Sequence, residues 1–156
     1  MYWKNLAAEV ISSLLILLFV YTAISKLLDY QTFRMQLSKS PFITAYAVTI
    51  SWALPLVEVL VAGLLLFNRT RILGLYTSLF LITMFTTYIY AMLQYSYDIP
   101  CSCGGVLAKM SWTQHLWFNI GFVVIAITGI LLETARSGIK KPAPSQLPPI
   151  VYSTIS

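Results

Sequence analysis

The sequence contains very little charge. Its 156 residues include ten Lys and Arg but only five Asp and Glu, and charged residues make up 10% of the chain against 58% hydrophobic residues. Soluble domains average about 25% charged residues, so this composition excludes a protein that is surrounded by water on all sides. The net charge of +5 is spread over connections and termini. Because it forms no basic cluster, we expect no nucleic acid partner.

Long uncharged stretches separate the few charges. A helix needs about 20 apolar residues to cross a bilayer core of about 30 Å, since each residue adds about 1.5 Å. We therefore predict an all-α fold, a four-transmembrane-helix bundle in contact with membrane lipid. A cleaved secretory signal is the alternative for the first span. The predicted spans are about residues 7–28, 45–67, 72–93 and 113–132.

Three local patterns add detail to this bundle. Residues 29–39 place apolar side chains at helical spacing among polar ones, which predicts an interfacial amphipathic helix in the outer headgroup layer. Ser111 followed by Gln114 predicts a capping box at the start of the fourth span. Gly74 and Ser78 favour a close helix crossing in the third span.

The C-terminal part of the sequence differs from the rest. Four prolines occur among residues 142–149, and proline cannot continue a helix. We therefore divide the chain into a four-helix transmembrane domain, residues 1–136, and a cytoplasmic Pro-rich tail, residues 137–156. A tail of this composition is expected to be extended or to lie against a protein partner.

The distribution of Lys and Arg predicts the orientation, because cytoplasmic connections carry an excess of these residues. With both termini in the cytoplasm, six basic residues are inside and four are outside. We therefore expect a multi-pass protein of the bacterial inner membrane whose third connection faces the oxidising periplasm. The inside set is Lys4, Arg69, Arg71, Arg136, Lys140 and Lys141, and the outside set is Lys26, Arg34, Lys39 and Lys109.

The chain has only two cysteines, Cys101 and Cys103, and they lie in that third connection. A disulfide that closes so short a loop restrains almost nothing, and it is strained and therefore easy to reduce. We predict thiol–disulfide exchange by this pair at a membrane face. The alternatives are a permanent local disulfide, two idle thiols, or a Cu(I) or Zn(II) site completed by His115 or Met110.

Four further polar residues are candidates for the site. His115, the only histidine, is placed to relay protons during exchange, and Asn119 follows it on the same helix face. Glu58 lies deep in the second span, where an acid usually faces the bundle interior with a partner. It is either a packing residue, a proton-handling group or part of a polar site for a quinone head. Lys26 ends the first span, where we expect its ammonium to reach the headgroups, pair with Asp29 or support the cysteine connection.

These elements together resemble a known family, the MauE/DoxX-type group of four-helix bacterial inner-membrane proteins. The resemblance covers about residues 10–132 and implies a redox-associated membrane protein. MauE is linked to maturation of methylamine dehydrogenase, a disulfide-rich periplasmic enzyme, alongside a thioredoxin-like partner. The elements that carry the resemblance are Ile24-Ser25-Lys26-Leu27, Phe33, Pro55-Leu56-Val57-Glu58, Cys101-Ser102-Cys103-Gly104-Gly105, and His115 with Asn119.

Two classes of function are compatible with these features. In the first, the cysteine pair exchanges with a thioredoxin-like or other envelope protein, as in a thiol–disulfide oxidoreductase. His115 then assists proton transfer, and Glu58 lines a site for a quinone, which is the one cofactor considered. Lys26 and Asn119 support these two residues. Quinone-linked disulfide generators use two cysteine pairs, whereas this chain has one, so a partner supplies the second couple or one pair serves both ends. In the second class, the chain is a non-catalytic membrane subunit of a larger envelope complex that docks through its spans and C-terminal tail.

Overall fold

Long apolar helices make up almost all of the described chain. The computed structural model describes residues 2–39, 44–95 and 111–139, and within these ranges the secondary structure is helical, with no strand. Five α-helices and one 3-10 helix follow each other along the chain. They are α1 (Tyr2–Leu28), α2 (Tyr30–Lys39), the 3-10 helix (Thr44–Tyr46), α3 (Ala47–Leu66), α4 (Arg71–Tyr95) and α5 (Trp112–Ile139).

Four of these helices are long and apolar enough to cross a membrane, which confirms the predicted four-span bundle. Helix α2 coincides with the predicted amphipathic helix. Helix α5 continues to Ile139, three residues into the predicted tail, and the rest of that tail lies outside the described residues. The candidate spans are Leu6–Leu28, Thr44–Leu66, Arg71–Gln94 and Thr113–Arg136.

Contacts between the helices fix their directions. Near one end of the bundle, Ile11 of α1 and Leu75 of α4 both face Gly129 of α5. Farther along, Lys26 of α1 approaches Phe85 of α4, so α1 and α4 are parallel. Helices α3 and α5 are antiparallel to both. We call the end at which α4 ends and α5 begins the cysteine end, because the connection with both cysteines joins these helices. The opposite end, at the turn between α3 and α4, is the turn end.

The apolar core lies between the four spanning helices, and a smaller cluster holds α2 in place. Phe33 and Leu37 of α2 are buried against Ala47, with Ile50 and Leu54 packed beside them. The short helix therefore covers the first half of α3, as its amphipathic pattern predicts. The main cluster contains Leu15, Phe19, Val61, Ala62, Leu65, Leu75, Leu81, Ile82, Ala126 and Ile130.

Two glycines allow helix backbones to approach closely. A Cβ added at Gly74 would lie 3.0 Å from the backbone nitrogen of Leu65, and the buried Ser78 hydroxyl turns back to donate to the Gly74 carbonyl at 2.6 Å. The predicted close crossing in the third span is therefore confirmed, between α3 and α4. At Gly129, an added Cβ would lie 2.8 Å from Cγ2 of Ile11 and 3.0 Å from Cδ2 of Leu75.

We expect Gly129→Val to destabilise the bundle by about 1–3 kcal/mol, the usual cost of overpacking a core. The matched control is Gly121→Val, because Gly121 lies on the exposed face of the same helix and an added Cβ there meets no atom within 4 Å. Thermal unfolding of the purified variants in one detergent compares them. Equal loss of stability in both variants would contradict the close contact at Gly129.

Candidate functional site

A buried ion pair joins the first two spanning helices. The Lys26 ammonium donates to Oε1 of Glu58 at 2.5 Å, and Glu58 is 1% exposed. The side chain of Lys26 is 13% exposed. The prediction that Glu58 faces the interior with a partner is confirmed. The expectation that the Lys26 ammonium reaches the headgroups or pairs with Asp29 is wrong.

The direction of helical side chains explains why Lys26 turns inward. Side chains on an α-helix lean toward its N-terminus, and Lys26 lies in the last turn of α1. Its long stem therefore leans away from the nearby helix end and toward the middle of the bundle. The negative end of the α1 dipole favours a cation at this position as well. Helix α3, which carries Glu58, contains Pro55 within its length. Because proline has no N–H group, the carbonyl of Ser51 lacks its helical hydrogen-bond donor.

Two aromatic rings complete the surroundings of the Lys26 ammonium. Its nitrogen lies 5.8 Å from the ring centroid of Phe33 in α2 and 5.5 Å from that of Phe85 in α4. These distances are within the range of cation–π attraction. Thr22, one turn before Lys26 on α1, donates its hydroxyl to the Phe19 carbonyl of the same helix at 3.1 Å. Lys26 therefore links α1, α2, α3 and α4 at one place.

Helix α5 brings the remaining candidates to this place. Its first turn is set by a capping box, since the Gln114 side chain accepts from the Ser111 N–H at 2.9 Å and the Ser111 hydroxyl accepts from the Gln114 N–H at 3.3 Å. This confirms the predicted start of the helix. His115 follows immediately, is half-buried, and lies close enough to Lys26 for the two side chains to interact electrostatically.

Asn119 lies one turn deeper on α5 than His115. Leu75 of α4 contacts Gly129 of α5, and this contact sets the register of the two helices. Ten residues from it toward the cysteine end, α4 carries Phe85 and α5 carries Asn119. Because the two helices are antiparallel, Asn119 is level with the Phe85 ring that borders Lys26. Asn119 is 7% exposed, so its amide belongs to the interior of the bundle.

The site holds a hydrogen-bond donor and an acceptor that are both buried and unpaired. Oε2 of Glu58 and Nδ2 of Asn119 have no hydrogen-bond partner within the described part of the chain. A buried polar group without a partner costs about 1–3 kcal/mol, so such groups usually bind a water molecule or a ligand. The arrangement can therefore accept one hydrogen bond and donate another inside the membrane.

The structure pairs Lys26 with Glu58, and α5 carries His115 near its start with Asn119 one turn deeper. The predicted catalytic pair, Cys101 and Cys103, lies outside the described residues. Sequence reasoning missed the role of the Phe85 ring, for which the many aromatic residues of the spans give no distinguishing signal.

A comparison with protein families finds one match over this region. The family model described as Methylamine utilisation protein MauE matches residues 4–132, a range that includes all four site residues and the cysteines. A search of the curated proteins and a search of the solved structures found no significant match. Four apolar helices and this match together indicate a multi-pass membrane protein with a membrane-associated accessory role. The predicted MauE-type resemblance is confirmed, and the chain belongs to the MauE family.

Proposed function

We propose that this chain is a redox accessory protein of the bacterial inner membrane. In this proposal, Cys101 and Cys103 carry out thiol–disulfide exchange with a thioredoxin-like or other envelope protein. Both termini lie in the cytoplasm, and the cysteine end faces the periplasm. The observation that carries the proposal is the buried ion pair of Lys26 and Glu58, together with the half-buried His115 in the first turns of α5, at the end to which the cysteine connection is joined.

The length of the connection limits how far the cysteines can lie from the helices. Cys101 is six residues after Tyr95, the last residue of α4. Six extended residues span about 20 Å, which bounds the distance of Cys101 from the end of α4. On the other side, Ser111 opens α5 and lies one turn before His115. A connection of this length allows the two sulfurs to approach the imidazole, and the proposed exchange requires that they do.

The exchange conserves electrons between the two proteins. A thiolate of the partner attacks one sulfur of the Cys101–Cys103 disulfide, and a mixed disulfide forms as the original bond breaks. The departing sulfur leaves as a thiolate and takes a proton, and in this proposal His115 relays that proton. A second thiolate of the partner then resolves the mixed disulfide. The partner loses two electrons, and the cysteine pair of this chain becomes two thiols.

The unpaired donor and acceptor in the bundle suit a compound that can regenerate the disulfide. A quinone offers a carbonyl oxygen to Nδ2 of Asn119, and the quinol offers a hydroxyl to Oε2 of Glu58. A quinone also accepts the two electrons and two protons that two thiols release when they form a disulfide. The match in hydrogen-bonding groups supports a quinone as the second reactant of this site.

We expect Cys101→Ser or Cys103→Ser to trap a mixed disulfide with the oxidised form of the partner. The remaining thiol attacks the partner's disulfide in the reverse of the exchange, and the variant lacks the second sulfur that would release the partner. Native membranes are alkylated, separated without reductant and identified by mass spectrometry. Ser102→Ala is the matched control and should trap nothing. Full cellular function of both serine variants would contradict the redox role and favour a non-catalytic subunit, for which deletion after Arg136 should instead abolish assembly.

We expect Glu58→Leu alone to destabilise the protein by about 3–5 kcal/mol, because it leaves the Lys26 ammonium buried without its counter-ion. Replacing both residues by leucine should recover most of that loss, since apolar pairs replace buried ion pairs well. Glu9→Leu, at an exposed acid of α1, is the control. Unfolding in detergent measures stability. A stable double variant that exchanges thiols at the normal rate would show that the pair has only a packing role.

We expect His115→Ala to slow thiol exchange by about 100-fold, the lower range for a lost general acid–base group. Added imidazole should restore part of the rate, because the His115 side chain is only half-buried. Thr113→Ala, at an exposed position of the same helix turn, should leave the rate unchanged. The rate is measured with a model disulfide and the purified protein. An unchanged rate in His115→Ala would remove this residue from the mechanism.

A further inference from the structure

A second buried cluster of charges lies at the turn end of the bundle. Arg71 is the first residue of α4, and Glu133 lies near the end of α5. Leu75 of α4 contacts Gly129 of α5. One helical turn nearer to the turn end, α4 carries Arg71 and α5 carries Glu133. The two charged residues are therefore level and lie on the facing sides of adjacent helices.

These side chains have more buried donors than acceptors. Arg71 and Glu133 are each 8% exposed. Nε and Nη1 of Arg71, Nη1 of Arg136 and Oε2 of Glu133 are buried and have no hydrogen-bond partner among the residues that the structure describes. The ion pair between Arg136 and Glu133 is long, at 3.7 Å. Three buried nitrogens, which carry five N–H bonds, are thus left with one unpaired carboxylate oxygen, and the cluster retains one net positive charge.

An unpaired guanidinium is costly to bury, because it carries five N–H donors and is always charged. The groups that best satisfy such donors are carboxylates and phosphates, which arginine binds with two parallel hydrogen bonds. Glu133 is the carboxylate already present and does not suffice for both arginines. The cluster therefore requires another anion with several oxygen atoms.

The position of the cluster in the bundle identifies the source of that anion. Arg71 is the first residue of one candidate span, and Arg136 is the last residue of another. Both side chains are therefore at the depth at which the bilayer core meets the headgroups, where lipid phosphates lie. The N-terminus of α4 adds the positive end of a helix dipole at Arg71.

We propose that the site formed by Arg71 and Arg136, between the start of α4 and the end of α5, binds the phosphate group of an anionic phospholipid. Arg71 and Arg136 hold the phosphate oxygens, and Glu133 fixes the orientation of Arg136. Basic sites between spanning helices recognise anionic headgroups by this chemistry. The proposal does not depend on thiol exchange, since it concerns the opposite end of the bundle.

Native mass spectrometry of the full chain in detergent tests the proposal. We expect dioleoyl-phosphatidylglycerol to bind about fivefold more tightly than dioleoyl-phosphatidylcholine. Both lipids present a phosphate, but the choline ammonium cancels its charge, so only phosphatidylglycerol brings a net negative charge to the cluster. Arg71→Gln and Arg136→Gln should remove the preference. Arg69→Gln makes the same change in charge at an exposed residue of the adjacent turn and should retain it. If Arg71→Gln does not fold, Arg71→Lys should fold and bind with part of the preference lost.

Several outcomes would overturn the proposal. Equal binding of the two lipids would show that the site formed by Arg71 and Arg136 does not select an anionic headgroup. Retained preference in Arg71→Gln, or an equal loss in Arg69→Gln, would show that surface charge alone attracts the lipid. Inorganic phosphate is the third ligand tested. If it competes with phosphatidylglycerol at equal concentration, the site binds free phosphate and not a lipid.

Discussion

The ion pair between Lys26 and Glu58 is the interaction on which the arrangement of the helices depends. Removing an ion from water costs several kcal/mol even after the protein relaxes, and lipid offers no water to reduce this cost. The two charges can therefore be buried only if α1 and α3 hold them together. The rings of Phe33 and Phe85 then surround the ammonium, which fixes where α2 and α4 must lie. One contact thus positions four helices.

The polar groups are distributed unevenly along the bundle, and this distribution bears on function. The large apolar cluster around Leu15, Leu65 and Leu75 packs the four spanning helices against each other. The charges of Lys26 and Glu58 and the amide of Asn119 add desolvation costs that apolar residues at these positions would not carry. Buried polar groups in membrane helices usually serve a site, and Lys26 and Asn119 lie toward the end that carries the cysteine connection. Their burial supports the proposed chemistry at that end.

The sequence predicts the spans and the helix starts well, because apolar length and capping residues are local properties. Glu58 is also predictable, since an acid in a span needs a partner. That Lys26 is this partner cannot be read from the sequence, because the two residues are 32 positions apart and a lysine near a span end usually reaches the headgroups. Arg71 illustrates the same limit: it contributes to the charge balance that predicts orientation, but its burial depends on how α4 packs against α5.

The two ends of the bundle differ in what their unpaired groups can bind. Toward the cysteine end, the unpaired atoms are one nitrogen of Asn119 and one oxygen of Glu58, and Lys26 is already neutralised. A neutral compound with a carbonyl and a hydroxyl group matches these two atoms. At the turn end, three unpaired nitrogens of Arg71 and Arg136 exceed the single unpaired oxygen of Glu133, and only an anion can match them. One small bundle therefore carries two polar sites of different charge. The charged residues neutralise each other at one end, whereas one positive charge remains without a counter-ion at the other.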